Sequence, residues 1–331
     1  MSVRDKLFPS PLGPSTQPLT FGEILHPILF SAGSLHFPTY GALVVLAILG
    51  AICIILRLGR REGLDLGQLL DFSTWLLLVA LFGAKLLMVL SNWDYYRQYP
   101  GEIFSRSTLL AGGVFYGGFI AALLFAAWYI RLKHLPFWKV VDVYAPAISL
   151  GLGVGRIGCF AAGCDYGKPT TSAWGVVFTS PIAHEVSGVP LGIPLYPTQP
   201  IMSLASLSIF AILMWRYSRK SRDGEIFVLY LALYAVARFF IEFLRGDEDR
   251  GFVFHHLLST SQFIAILAFA TAVWMALTLR HRPARQRARS VESTEGEGRG
   301  NPGDKKVRHE VAPSARAKTA PMPHAPRRGR D

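Results

Sequence analysis

The chain has 331 residues, 51% of them hydrophobic and 17% charged, against about 25% charged in an average soluble domain, which argues against a soluble globular protein. Of the net charge of +12, the stretch from Arg280 to the end carries 14 basic and 6 acidic residues, or +8, so the basic excess sits in a terminal tail beside an apolar body and points to a cytoplasmic face, not to nucleic acid. Three cysteines exclude a disulfide-stapled scaffold and a multi-cysteine zinc module.

In chain order, residues 1–25 are Pro-rich without a continuous apolar core, so no cleavable signal peptide is expected. Residues 1–36 are assigned to an extracytoplasmic N-terminal segment. Seven apolar runs follow: Phe37–Leu56, Phe72–Leu90, Leu109–Ile130, Val143–Gly163, Tyr196–Trp215, Ile226–Leu244 and Leu257–Leu279. Each is long enough to cross about 30 Å of hydrocarbon as helix, and none shows the polar stripe of a soluble amphipathic helix. The expected fold is an all-α integral membrane protein whose seven transmembrane helices occupy residues 37–280, with a disordered basic tail over 281–331. Lys and Arg number 15 in the connections after spans 1, 3 and 5 together with the stretch Arg280–Arg289 after span 7, and 5 in the other connections. This bias places the N-terminus outside and the C-terminus in the cytoplasm. The longer outside connections, Ser91–Thr108 and Cys164–Leu195, are expected to form a small extracytoplasmic cap, with a hairpin or lid in "YGKPTTSAWGVVFTSP".

Ionisable residues inside a span are costly and mark function by default. Four occur, Lys85, Arg156, Arg238 and Glu242, an excess of positive charge. Lys85, Arg156 and Arg238 are the thirteenth or fourteenth residues of their spans, about 20 Å above the cytoplasmic edge at the helical rise. Tyr116, in the antiparallel third span, falls at about the same level. Three cations at one depth predict one anion pocket, and a fork of guanidinium donors suits phosphate, as in a phospholipid headgroup. Tyr234, Arg238, Glu242 and Arg245 share one helix face, although Arg238 and Glu242 at i,i+4 would also simply pair. The opposite half of the seven spans holds no ionisable residue, which argues against a transporter of anionic solute or lipid. Gly153, Gly155 and Gly158 satisfy G-x-G-x-x-G, but within a membrane span they serve helix packing or the approach of a phosphate, not a dinucleotide fold. Cys159 and Cys164 lack His partners for zinc, and Cys53 reads as packing. The sequence calls for no cofactor and no metal.

The stretch "GRIGCFAAGCDYG" resembles the pattern G-R-x-G-N-F-x-N-G-E-x-x-G of the bacterial prolipoprotein diacylglyceryl transferases, matching at Gly155, Arg156, Gly158, Phe160, Gly163 and Gly167. The resemblance extends through "YGALVVLAILGA" at Tyr40, "GGVFYGGFIAALL" around Tyr116, "YPTQP" with Gln199, and "YAVARFFIEFLRGDEDRG" from Tyr234. It implies a multi-pass enzyme of the bacterial inner membrane that moves diacylglycerol from phosphatidylglycerol to the lipobox cysteine of a prolipoprotein, forming a thioether and releasing glycerol phosphate. Carried over by position, Arg156 and Arg238 match the essential arginines, Tyr40 and Tyr234 functional tyrosines, and Glu242 and Arg245 the charged residues that follow. With Lys85, Gly167 and Gln199 these make the expected substrate site. Tyr116 stands where much of the family has the His that would take the thiol proton, and Cys159, Ala162, Cys164 and Met202 replace Asn, Asn, Glu and Glu. These departures mark a divergent branch, for which a different acceptor is the alternative.

Overall fold

All seven expected spans fold as helices long and apolar enough to cross a membrane. The computed structural model describes residues 28–32, 35–105, 108, 112–247, 251–253 and 257–280. The expected tail over 281–331, and the N-terminal segment up to residue 27, lie outside the described residues. Of two units, Met1–Arg285 and Gln286–Asp331, the first holds every described residue.

A strand pair, β1 (Ile28–Ala32) with β2 (Leu35–Pro38), leads into α1 (Thr39–Glu62). Then come α2 (Leu66–Ser91), a short α3 (Trp93–Gln98), a 3-10 turn (Pro100–Phe104), α4 (Phe115–Leu132) and α5 (Phe137–Ala162). The next connection carries β3 (Val176–Val177), α6 (Pro181–Ser187) and β4 (Pro194–Leu195), before α7 (Thr198–Tyr217) and α8 (Glu225–Ile241). A 3-10 turn (Glu242–Leu244), β5 (Phe252–Val253), β6 (Leu258–Ser259) and α9 (Thr260–Arg280) complete the described chain. Neighbouring spans are antiparallel. Ser149 and Ser203 tie α5 to α7, donating to Ser206 O at 2.8 Å and Gly153 O at 2.7 Å. The connections 63–65, 133–136 and 218–224 define a short-loop end of the bundle, and the longer ones a long-loop end.

Local chemistry sets the short loops. Gly63, at φ 69°, ends α1, letting Leu64 N reach Gly59 O at 3.0 Å, and Asp65 caps α2 by accepting from Gln68 N at 2.9 Å. Against lipid, which is as apolar as leucine, close packing and not water exclusion holds helices together. It is densest toward the short-loop end, where Leu58, Leu69, Phe72, Tyr129, Val143, Tyr144, Leu213 and Ile226 cluster, with Phe72 stacked on Tyr129 at 5.1 Å between ring centroids. Helices α2 and α4 meet at Gly83 and Gly117, where an added Cβ on either would strike the other's backbone oxygen.

The same end corrects the expectation that no ionisable residue occupies that half. Helices α2 and α5 begin six residues before the uncharged runs do, because a helix need not stop where a charged residue does. They bring in Asp71 and a fully buried Asp142, and α1 runs on to Glu62. Lys220, from the α7–α8 connection, lies 2.8 Å from Glu62 Oε1, 3.1 Å from Asp142 Oδ2 and 3.4 Å from Asp223 Oδ1. Asp142 also accepts from Gly224 N at 2.8 Å and Phe227 N at 2.9 Å, and Tyr217 donates to Glu62 at 3.1 Å. Burial would lower the Lys220 pKa, but Asp142 and then Glu62 outweigh it and raise it, so the ammonium stays charged. This is a closed latch joining α1, α5, α7 and α8, not a polar track.

At the long-loop end the Cys164–Leu195 connection packs a small core, Val176, Phe178, Ala183, Val189 and Leu195, on Phe160 of α5. The expected local hairpin is not formed. Strand β3 pairs instead with β4, beyond α6, because Pro181 and the Ser180 cap, which accepts from Ala183 N, start a helix where the return strand would begin.

Candidate active site

Arg156 lies in the last two turns of α5, and what faces it is set by how that helix stops. Gly163, at φ 77°, turns the chain back so that Cys164 N donates to Cys159 O at 3.2 Å. Asp165 follows in the left-handed region at φ 57°, and its carboxylate pairs with Arg156. The turn is held from α7, whose Thr198 Oγ1 donates to Asp165 O at 2.7 Å and whose fully buried Gln199 Nε2 donates to Cys164 O at 2.8 Å.

A second segment arrives from α8. Arg238 Nη2 sits 2.8 Å from Glu242 Oε2 and donates to Ser261 Oγ of α9 at 2.8 Å. Helix α8 ends at Ile241, so the expected single face of Tyr234, Arg238, Glu242 and Arg245 does not continue as α-helix. Glu242 begins a 3-10 turn and Arg245 is extended. The turn directs Arg245 Nη2 to Asp165 Oδ1 at 2.6 Å, while Nη1 lies 3.8 Å from Glu242 Oε2 and the guanidinium also pairs with Asp247. The backbone fixes this meeting. Lys168 N donates to Leu244 O at 2.8 Å, Gly246 N to Tyr166 O at 3.0 Å and Tyr196 N to Lys168 O at 3.0 Å, laying three connections side by side. Gly167 occupies the tightest point of that ladder, where an added Cβ would collide with the Tyr196 backbone.

Arg156, Asp165, Arg245, Asp247, Glu242 and Arg238 thus form one continuous network of three guanidiniums and three carboxylates. The expected positive excess is corrected, because Asp165 and Asp247 lie outside the spans in sequence and the turns after α5 and α8 bring them back over the arginines. Burial pushes the Asp165 carboxyl pKa up, but Arg156 and then Arg245 outweigh it and hold it below the ordinary carboxylate range. Arg245 is raised in turn: burial opposes its charge, while Asp247 and then Asp165 favour it.

Among the expected site residues, Tyr40, half-exposed at the start of α1, packs on Gly158 and lies beside Arg156 and Asp165. Tyr234 neighbours Arg156 and stacks on Tyr230 at 5.7 Å. Gly153 and Gly158 serve packing, against Leu207 and Tyr40, whereas Gly155, next to Arg156, faces open space. Lys85 is held on the α2–α4 side, donating to Thr108 O at 2.6 Å. Tyr116, in the first turn of α4, is half-exposed with its ring against Phe115. Sequence reasoning missed Asp165, Asp247, Thr198 and Ser261. The one available signal was that "CDYG" sets a carboxylate just past a glycine helix stop.

The most open members of the network are Arg156 and Asp165, with side chains 19% and 30% exposed, against 1% for Glu242. Asp165 pairs with Arg245 as well as with Arg156, so Arg156 can leave it without stripping the carboxylate of every partner.

Fold and site together define a polytopic all-α membrane protein with a buried arginine–carboxylate network at one end of the bundle. A model of the prolipoprotein diacylglyceryl transferase family matches residues 27–278, and the chain belongs to that family. It is 35% identical over 253 residues to a phosphatidylglycerol–prolipoprotein diacylglyceryl transferase of Clostridium tetani, covering 76% of this chain and 96% of that protein. Its identity to one of Clostridium perfringens is 34%, over 69% of this chain and 85% of the other. With one of Limosilactobacillus reuteri it is 32%, over 78% and 92%.

Proposed function

We propose that the protein transfers the diacylglyceryl group of phosphatidylglycerol to the lipobox cysteine thiol of a prolipoprotein, in the bacterial cytoplasmic membrane with the long-loop end outward. The observation that carries this reading is the open Arg156–Asp165 pair at the edge of a buried network, in a chain of this family. The cysteine sulfur attacks the glyceryl carbon that bears the phosphate, the carbon–oxygen bond breaks, and glycerol phosphate leaves with the electron pair. Charge on the departing phosphate rises from one to nearly two, and Arg156 and Arg238 act where it rises. Arg245 and Glu242 hold those two guanidiniums in place, Tyr40 and Tyr234 flank the headgroup, and Gly167 and Gln199 position the turn that presents Asp165. Lys85 binds lipid on the α2–α4 side. Tyr116 relays the proton of the attacking thiol, its hydroxyl oxygen accepting that proton as its own O–H proton passes to water, because the sulfur must be a thiolate to react.

The test is mass spectrometry of a lipobox peptide incubated with the purified protein and phosphatidylglycerol, with Arg156→Ala and Arg238→Ala in parallel. A diacylglyceryl mass gain on the peptide cysteine, absent in both variants, is the expected result. Intact phosphatidylglycerol and an unmodified peptide with the native protein would overturn the reading.

A further inference from the structure

Cys159 and Cys164 take no part in the ion-pair network, yet they lie against it. The turn closed by Gly163 folds one over the other, so that the Cys164 thiol donates to Cys159 O at 3.5 Å. The two sulfur atoms and an Asp165 carboxylate oxygen all lie within 4.8 Å of one another. Both thiols are free and part-exposed. Cys53 is exposed on α1, 13 residues beyond Tyr40, which is about 20 Å along the helix. Metal capture by the two thiols and Asp165 is the poorer fit, because that carboxylate is already committed to two guanidiniums whose charge opposes a dication.

We propose that Cys159 and Cys164 form a redox-reversible modification site, in which an intramolecular disulfide between them displaces Asp165 from its place against Arg156. The chemistry is thiol–disulfide exchange. One thiolate attacks a disulfide-class oxidant and releases one thiol from it, and the second cysteine then displaces the other. Both S–H bonds are lost, one S–S bond forms, and two electrons and two protons end on the oxidant as two thiols. Bonding draws the sulfurs to about 2.05 Å, and the contraction falls on the segment whose carbonyls are held by Thr198 and Gln199. Asp165 is the next residue, so the carboxylate that bridges Arg156 and Arg245 moves with it. Misplacing a catalytic group by about 1 Å costs up to about 10²-fold in rate. The effect on activity rests on the transferase reading above, whereas the disulfide itself does not.

The experiment uses the full chain in detergent micelles, treated with oxidised glutathione or with dithiothreitol, then denatured, labelled with a maleimide and mapped by peptide mass. The reduced protein is expected to show three reactive thiols, matching its three cysteines, and the oxidised protein only Cys53, with one peptide carrying a Cys159–Cys164 link and two hydrogen atoms fewer. Diacylglyceryl transfer should fall at least about tenfold on oxidation and return with dithiothreitol, whereas Cys164→Ser should have the same rate in both conditions. Three labelled thiols after oxidation, a glutathione adduct in place of the link, or a link that leaves the native rate unchanged would each overturn the proposal. A reduced protein that transfers nothing would count against the transferase reading, and the thiol count would then decide the disulfide by itself.

Discussion

Asp165 is at once strained and indispensable to its neighbours. A left-handed φ of 57° is uncommon for a residue with a side chain, though Asp tolerates it better than most. The turn keeps it because the carboxylate bridges Arg156 and Arg245. Its pKa is held below the usual range, so it is the ionised form that stabilises the fold. That contribution is complete above the unfolded value of about 3.9 and is lost as pH falls through the lower folded value. Asp165→Asn should therefore lower the thermal midpoint at pH 7, by an amount constant down to about pH 5. The gap between variant and native should begin to narrow below about pH 4 and vanish once pH has fallen through the lower folded value, where the native protein loses the same charge. A gap that widened toward acid would contradict the assignment. Tyr116 yields a second residue-scale test. Tyr116→Phe keeps the ring on Phe115 and removes only the hydroxyl, so it should lower kcat by about 10²-fold or more and leave the KM for phosphatidylglycerol within about threefold. The arginines were legible in the sequence because charge inside an apolar run stands out. Asp165 and Asp247 were not, because in a loop a carboxylate looks like any solvated one until the turn that returns it is seen.

Among the helices, two contrasts show what packing adds to pattern. Each apolar run announced its helix, but the true starts of α2 and α5 lie six residues earlier, since a stretch defined by lack of charge must stop at Asp71 or Asp142 whereas a helix need not. The latch around Lys220 was hidden for the same reason, as its members come from four separate elements. Lys220→Met should destabilise the protein by about 3–5 kcal/mol, the usual effect of leaving a buried carboxylate without its cation, read as a loss of resistance to unfolding in SDS. Glycines provide the second contrast. Gly117→Ala would push a methyl into the Gly83 backbone and Leu87, whereas Gly151→Ala meets nothing within 4 Å. The first should cost about 1–3 kcal/mol through overpacking, and the second should stabilise α5 by about 0.5–1 kcal/mol by restricting the unfolded chain. Both follow from the same SDS titration, and equal effects would mean that the α2–α4 crossing is looser than the close approach implies.

Taken whole, the molecule separates two chemistries by the length of its connections. Short loops close the end that holds the latch and the largest apolar cluster, and long connections build the end that holds the arginine network. The Lys and Arg count, 15 against 5, predicts a cytoplasmic short-loop end, the orientation that the proposed transfer to a prolipoprotein requires. Ala173 and Ser221 are both exposed, in connections at opposite ends, so a thiol placed at each reports on one side of the membrane. In intact cells a membrane-impermeant maleimide should label the Ala173→Cys protein on the new thiol and leave the Ser221→Cys protein unlabelled there until the membrane is opened. Labelling at 221 but not at 173 in intact cells would invert the molecule and put the arginine network on the cytoplasmic side. The positive-inside count would then have been outweighed by the connections themselves. Long segments cross largely regardless of charge, and the 163–197 connection, with its small folded core on Phe160, is the one most able to do so.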